Sequence, residues 1–137
     1  MYEKPFSLEI IAPDKVVFRS EATSLTAPGV DGLFQVLYNH APLLAQLGIG
    51  PMTVKTTEGK DNDFAVSGGF VEVRNNRVVV LVDTVEAAGE IDVSRANAAK
   101  ERAQERLHHR SQDIDVDRAE AALMRALNRM RVAGRSA

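Results

Sequence analysis

Paired aspartates and late arginines are the residues of this chain best suited to chemistry. Two nearly identical words, Ile91-Asp92-Val93-Ser94-Arg95-Ala96 and Ile114-Asp115-Val116-Asp117-Arg118-Ala119, each set an acid three residues before an arginine. An aspartate opening an apolar-periodic run is a helix N-cap. Its carboxylate takes a backbone N–H that the helix start leaves free, and the isoleucine before it can staple the entering chain. That reading explains the repeat without a ligand. After Glu120 no acid follows, while Arg125, Arg129, Arg131 and Arg135 do. Guanidinium groups near a helix C-terminus complement its dipole, for about 0.3 to 1 kcal/mol each. The same planar forks grip phosphates and carboxylates bidentately, so an anionic ligand or an acidic partner surface is an equally open reading. Nucleic acid fits poorly, because no aromatic residues interleave with these cations and the net charge is -2.

Other chemistry is missing from the pattern. His40 stands alone in Tyr38-Asn39-His40-Ala41-Pro42-Leu43, and adjacent His108 and His109 project about 100° apart on a helix, so no metal site is expected. Ser67-Gly68-Gly69-Phe70 interrupts an apolar run. No helix start or Lys-Ser/Thr follows it, so it is not a phosphate loop; paired glycines in a strand signal a bulge or a close backbone approach. With no GxSxG elbow, no HExxH and no marked acid/base couple, the chain is not expected to be an enzyme. The absence of cysteine removes disulfides, thiolate metal sites and a cysteine nucleophile.

Two kinds of element must hold these residues, because the period of the sequence changes about two thirds of the way along. Phe6, Leu8 and Ile10 alternate with Ser7 and Glu9, and Pro13-Asp14 marks a turn. Further strands are expected at Val16 to Ala27, Leu33 to Leu37, Met52 to Thr57, Asp63 to Ser67, Phe70 to Arg74 and Arg77 to Val82. Many short strands with close turns indicate a two-sheet sandwich or flattened barrel. The run Val78 to Val82, apolar on both faces, belongs at its centre. Beyond it, Ala96, Ala99, Ala103 and Leu107 form an apolar stripe at helical spacing, and Ala119, Ala122, Leu123, Ala126, Leu127 and Met130 form another. Alanine-rich stripes let helices approach closely but bury little area, so at about 25 cal/mol per Å² the resulting hairpin is marginal. The expected architecture is an N-terminal two-sheet β-sandwich over residues 1–88 followed by a C-terminal antiparallel two-helix hairpin over residues 89–137. A chain of 137 residues has room for one good core and such an appendage. No apolar run approaches the roughly 20 residues of a spanning helix, and Met1-Tyr2-Glu3-Lys4-Pro5 carries no signal or transit pattern, so a cytosol-facing protein is expected.

Four stretches then point to a family: Val66-Ser67-Gly68-Gly69-Phe70-Val71-Glu72-Val73, the His40-Ala41-Pro42-Leu43 turn, Ile91 through Leu107, and Asp117-Arg118-Ala119 through Val132. In this order, along essentially the whole chain, they resemble the epsilon subunit of F-type ATP synthases. The resemblance implies a central-stalk rotor subunit with no catalytic residues of its own. Its sandwich would bind the gamma subunit and sit on the ring of c subunits, with Leu33, His40 and Pro42 in the rotor-facing loop. Its hairpin would inhibit ATP hydrolysis when extended along gamma, where Arg102, Arg118, Arg125 and Arg129 would meet the beta (and alpha) subunits. About 40 helical residues at 1.5 Å each reach on the order of 60 Å.

Some bacterial members of that family hold ATP in the compact form through an Ile/Leu-Asp-x-x-Arg-Ala motif. By resemblance the site here comprises Glu86, Ile91, Asp92, Arg95, Ala96, Arg125 and Arg129, with ATP as a regulatory ligand, no required cofactor and no metal. The implied location is the cytoplasmic face of the bacterial inner (plasma) membrane, or the stromal face of the thylakoid for a plastid-encoded chain. One stretch departs from the family. Gly32-Leu33-Phe34-Gln35-Val36-Leu37-Tyr38-Asn39 stands where many members read Gly-x-Leu-Gly-Ile-Leu-Pro-Gly, so the rotor contact is expected to be kept with altered details. Two other readings are a free-standing ATP-sensing module and a homodimer paired through the alanine stripes.

Overall fold

The computed structural model describes residues 3–109 and 115–136. Strands β1 (Phe6–Ala12) and β2 (Lys15–Gly29) pair antiparallel around the Pro13-Asp14 turn, and β3 (Gly32–Val36) returns along the second half of β2. Next come β4 (Leu43–Thr56), β5 (Asp61–Arg74) and β6 (Arg77–Ala87), with β5 antiparallel to β4 and β6 antiparallel to β5. β6 then lies parallel to β1, and β2 also pairs with β4. The ladder β1-β6-β5-β4-β2 therefore closes on itself, with β3 as an added edge. The expected sandwich is present as a flattened barrel whose two walls are one continuous sheet.

A shared corner separates the walls. Toward the β5–β6 turn the inward residues are Leu47, Val71, Val73, Val78, Val80 and Val82; toward the other end Met52, Val54, Phe64, Val66, Val85 and Ala87 take over. The intervals from Leu47 to Met52, Val66 to Val71 and Val82 to Val85 are all odd, so three neighbouring strands change face together while their pairing register runs on unbroken. Gly68 and Gly69 make this turn in β5 with φ of 76° and 125°. A Cβ on Gly69 would meet the Leu81 carbonyl oxygen and, at 2.8 Å, Val82 Cα. Of the two options for the glycine pair, close approach is the one found, and the strands expected on either side of it are one strand. Two other bounds differ from expectation by more than two residues. β4 starts at Leu43 rather than Met52, and β6 continues past Val82 to Ala87. Leu81 is 50% exposed, so the Val78 to Val82 run is central in the ladder but covered on one face only.

A 3₁₀ turn (Ala88–Glu90) leads into α1 (Val93–His108), while α2 (Val116–Ala133) ends in a second 3₁₀ turn (Gly134–Ser136). Asp92 Oδ1 accepts from the Arg95 N–H at 3.0 Å and Asp115 Oδ1 from the Arg118 N–H at 3.1 Å, so both repeated words are helix caps. Ile91 is buried, as a staple would be; Ile114, its counterpart, lies outside the described residues. Ala96 and Ala103 on α1, and Ala119 and Ala126 on α2, are buried where the helices pack, so the stripes are used up within one chain. Leu127, assigned to that stripe by spacing, is instead 44% exposed. His109 caps α1, and its ring meets His108 edge-on with 5.2 Å between centroids.

Candidate regulatory site between sandwich and hairpin

Among the described residues, α2 is the helix that packs on the strands, and α1 is carried on α2. α2 therefore needs two inward faces. Ala119 and Ala126 serve α1, whereas Asn128 and Val132, one turn apart, serve the sandwich. Val132 is fully buried in a cluster with Ala65 and Ile91. Asn128 Nδ2 donates to the Gly50 carbonyl at 2.9 Å, while its Oδ1 is buried with no hydrogen-bond partner among the described residues. Arg129 grips both oxygens of Glu86: Nη2 donates to Oε2 at 3.2 Å, and Nε lies 2.6 Å from Oε1, off the hydrogen-bond line. Farther along, Arg135 Nη1 reaches Asp63 Oδ1 at 3.4 Å, an oxygen that also accepts from Thr53 Oγ1 at 2.7 Å. Two of the late arginines, Arg129 and Arg135, thus find acids on the strands.

Of the residues expected at an ATP site, three come together. Glu86, Arg125 and Arg129 line one dent of about 40 Å³, together with Asn128, Ala65 and Ser67. The other four do not line it. Ile91 and Ala96 are buried packing residues, Asp92 caps α1, and Arg95 is exposed on the first turn of α1. Asn128 escaped the sequence reading because it sits between arginines. Its signal was its place four residues before Val132, on a face the alanine stripe leaves unused. Nucleotide pockets occupy several hundred Å³, so while Glu86 and Arg129 hold each other this dent admits only one end of such a ligand. The donor set nonetheless suits a nucleotide, with acceptors for base N–H groups and two guanidinium forks for phosphate.

The expected rotor-facing residues lie elsewhere. Leu33 is 68% exposed, Pro42 is exposed, and His40 is half-buried with Nδ1 2.7 Å from the Ala41 carbonyl oxygen. Asn76 fastens the loop after β3 to the chain entry: Asn39 N donates to Asn76 Oδ1 at 2.8 Å, and Asn76 Nδ2 donates to the Pro5 carbonyl at 3.2 Å. Asn39 takes a left-handed φ of 55°, which asparagine adopts more readily than most residues. Arg102 and Arg118 are exposed on α1 and on the first turn of α2, away from the dent.

A family model described as ATP synthase, Delta/Epsilon chain, beta-sandwich domain matches residues 5–88, and one described as ATP synthase, Delta/Epsilon chain, long alpha-helix domain matches residues 90–134. The chain belongs to the ATP synthase delta/epsilon chain family. Curated relatives carry the name ATP synthase epsilon chain. That of Pelotomaculum thermopropionicum is 52% identical over 135 residues, covering 98% of this chain and 100% of the relative. That of Desulforamulus reducens is 51% identical over 126 residues, covering 92% and 95%. Among solved structures, a chain of the Euglena gracilis mitochondrial ATP synthase, in OSCP/F1/c-ring form, matches with a TM-score of 0.79 at 23% identity, over 88% of this chain and 76% of that one. A chain of the Tetrahymena thermophila mitochondrial ATP synthase central stalk/c-ring matches at TM-score 0.60 and 18% identity, over 99% and 98%. At those identities the two structures speak for the fold, and the delta/epsilon family shares the strand-then-hairpin layout found here. No helix among the described residues is long and apolar enough to cross a membrane.

Proposed function

We propose that this chain is a non-catalytic rotor subunit linking gamma to the c-ring, and that its hairpin is a regulatory arm that restrains ATP hydrolysis when it leaves the sandwich. The observation carrying this reading is the manner of attachment. Among the described residues, α2 and the 3₁₀ turn that follows it anchor the hairpin, through the Asn128–Gly50 hydrogen bond, the Arg129–Glu86 and Arg135–Asp63 pairs and one small apolar cluster. The membership of curated bacterial epsilon chains in the same family supports the assembly partners, gamma, c-ring, beta and alpha, and a location on the cytoplasmic face of the bacterial plasma membrane.

ATP enters as the ligand that holds the arm down. Arg125 and Arg129 take its phosphates and Glu86 takes a base N–H, so the Glu86–Arg129 pair must open to admit it, each partner meeting in the ligand the charge or donor it gives up. At 100 times its dissociation constant ATP adds about 2.7 kcal/mol to the docked state, enough to reverse a modest bias. The test is a complex reassembled with the wild-type chain or with Val132→Asp, which puts an unpaired charge into the Ala65–Ile91 cluster and releases α2. ATP hydrolysis should fall several-fold with the variant while the complex stays intact. Unchanged hydrolysis would overturn the regulatory part of the reading.

A further inference from the structure

The packing of α2 does not use up Asn128. We propose that Asn128 Oδ1 is the acceptor that selects the base of the bound nucleotide, favouring a purine with an exocyclic amino group over one with a carbonyl in its place. The inference rests on the ATP-binding reading above. Because Gly50 offers a carbonyl oxygen, the amide nitrogen of Asn128 has to face it, and the hydrogen bond at 2.9 Å fixes which end of the amide points where. Oδ1 is then held in the other direction. It belongs to a residue only 7% exposed and has no hydrogen-bond partner among the described residues. Buried carbonyl oxygens are rarely left unmet, and this residue lines the same dent as Glu86, Arg125 and Arg129.

The acceptors of the dent are matched to one kind of ligand edge. An exocyclic amine offers two N–H donors, one for the Glu86 carboxylate and one for Asn128 Oδ1. A carbonyl at that position would set a third acceptor against these two, and the single N1–H that accompanies it can meet only one of them, leaving the other unpaired, the circumstance in which a polar site discriminates strongly. The position of the amide does not depend on the ligand, since Val132, one turn on, is fully buried and the Gly50 bond holds the side chain.

Calorimetric titration of the full chain with ATP, N6-methyl-ATP, N6,N6-dimethyl-ATP and ITP, repeated on Asn128→Ala, tests this. In the wild type ATP should bind at least about tenfold more tightly than ITP or the dimethyl analogue, with the monomethyl analogue between them. In Asn128→Ala the ATP/ITP ratio should shrink to within about threefold, whatever the loss in absolute affinity. Equal binding of ATP and ITP by the wild type overturns the inference and leaves the ATP site standing. A ratio undiminished in Asn128→Ala also overturns it, assigning the selection to Glu86 alone. No binding of ATP at millimolar concentration overturns the ATP site and the inference together. Because Asn128→Ala also loses the Gly50 bond, its helix content is checked by circular dichroism; should it misfold, Glu86→Gln takes its place, where an ATP/ITP preference that survives supports Asn128 as the selecting acceptor and one that vanishes overturns it.

Discussion

Phe6, Leu8, Ile10, Leu25, Val54, Val71 and Val80 fill the sandwich, whereas Ala96, Ala103, Ala119 and Ala126 fill the hairpin, and the two sets are buried to nearly the same degree. Equal burial is not equal stabilisation. A large apolar side chain taken out of water contributes about 1.5 to 3 kcal/mol, while a methyl group contributes nearer 0.8. The ladder of the sandwich also closes on itself, so opening it means breaking several strand pairings, whereas α1 depends on α2 and α2 on a few contacts near its C-terminal end. The difference locates the motion. Elements with little buried apolar area open first, and here they carry the arginines.

The largest expected effect lies in the stronger region. Leu8→Ala should cost about 2 to 5 kcal/mol of global stability, read as a lower urea midpoint shared by strand and helix signals. Filling the weaker region tests whether its close helix approach is real: Ala126→Leu should cost about 1 to 3 kcal/mol by overpacking, appearing as early loss of helical circular dichroism with the strand signal unmoved. A smaller loss should follow from removing either cap. Asp92→Ala and Asp115→Ala should each cost about 1 kcal/mol of helix stability. If Asp92 also contacts ATP, only Asp92→Ala will weaken nucleotide binding beyond that amount in calorimetry. Least of all, Arg135→Ala should weaken docking by about 0 to 1 kcal/mol, an effect that fades as salt rises. Amide exchange in the last turn of α2 at low and high ionic strength would register it.

Most of the fold was legible because its elements keep a clear period. Phe6, Leu8 and Ile10 alternate and are all buried, and Asp92 and Asp115 cap helices as their spacing indicates. The first half of β4 was not legible: it carries Gly48, Gly50 and Pro51, residue types depleted in strands. In the structure Gly50 is a strand residue that must be small, because a Cβ there would lie 2.5 Å from Pro28 Cβ on β2. That requirement comes from a strand more than twenty residues away, and no local pattern encodes it. The same holds for the corner at Gly68 and Gly69, where one strand change of face is matched by two neighbours. At the dent, the meeting of Glu86 with Arg125 and Arg129 was anticipated through family resemblance. Asn128 was not, because a polar residue between arginines looks like solvent-facing surface until the second buried face of α2 is known.

Native-state hydrogen exchange on the whole chain, with and without ATP, tests the central claim most directly. The account predicts that amides of α1 and α2 exchange through openings of lower free energy than those of β1, β5 and β6, and that ATP slows the helices while leaving the strands unchanged. One common opening free energy for helices and strands, unaffected by ATP, would contradict it.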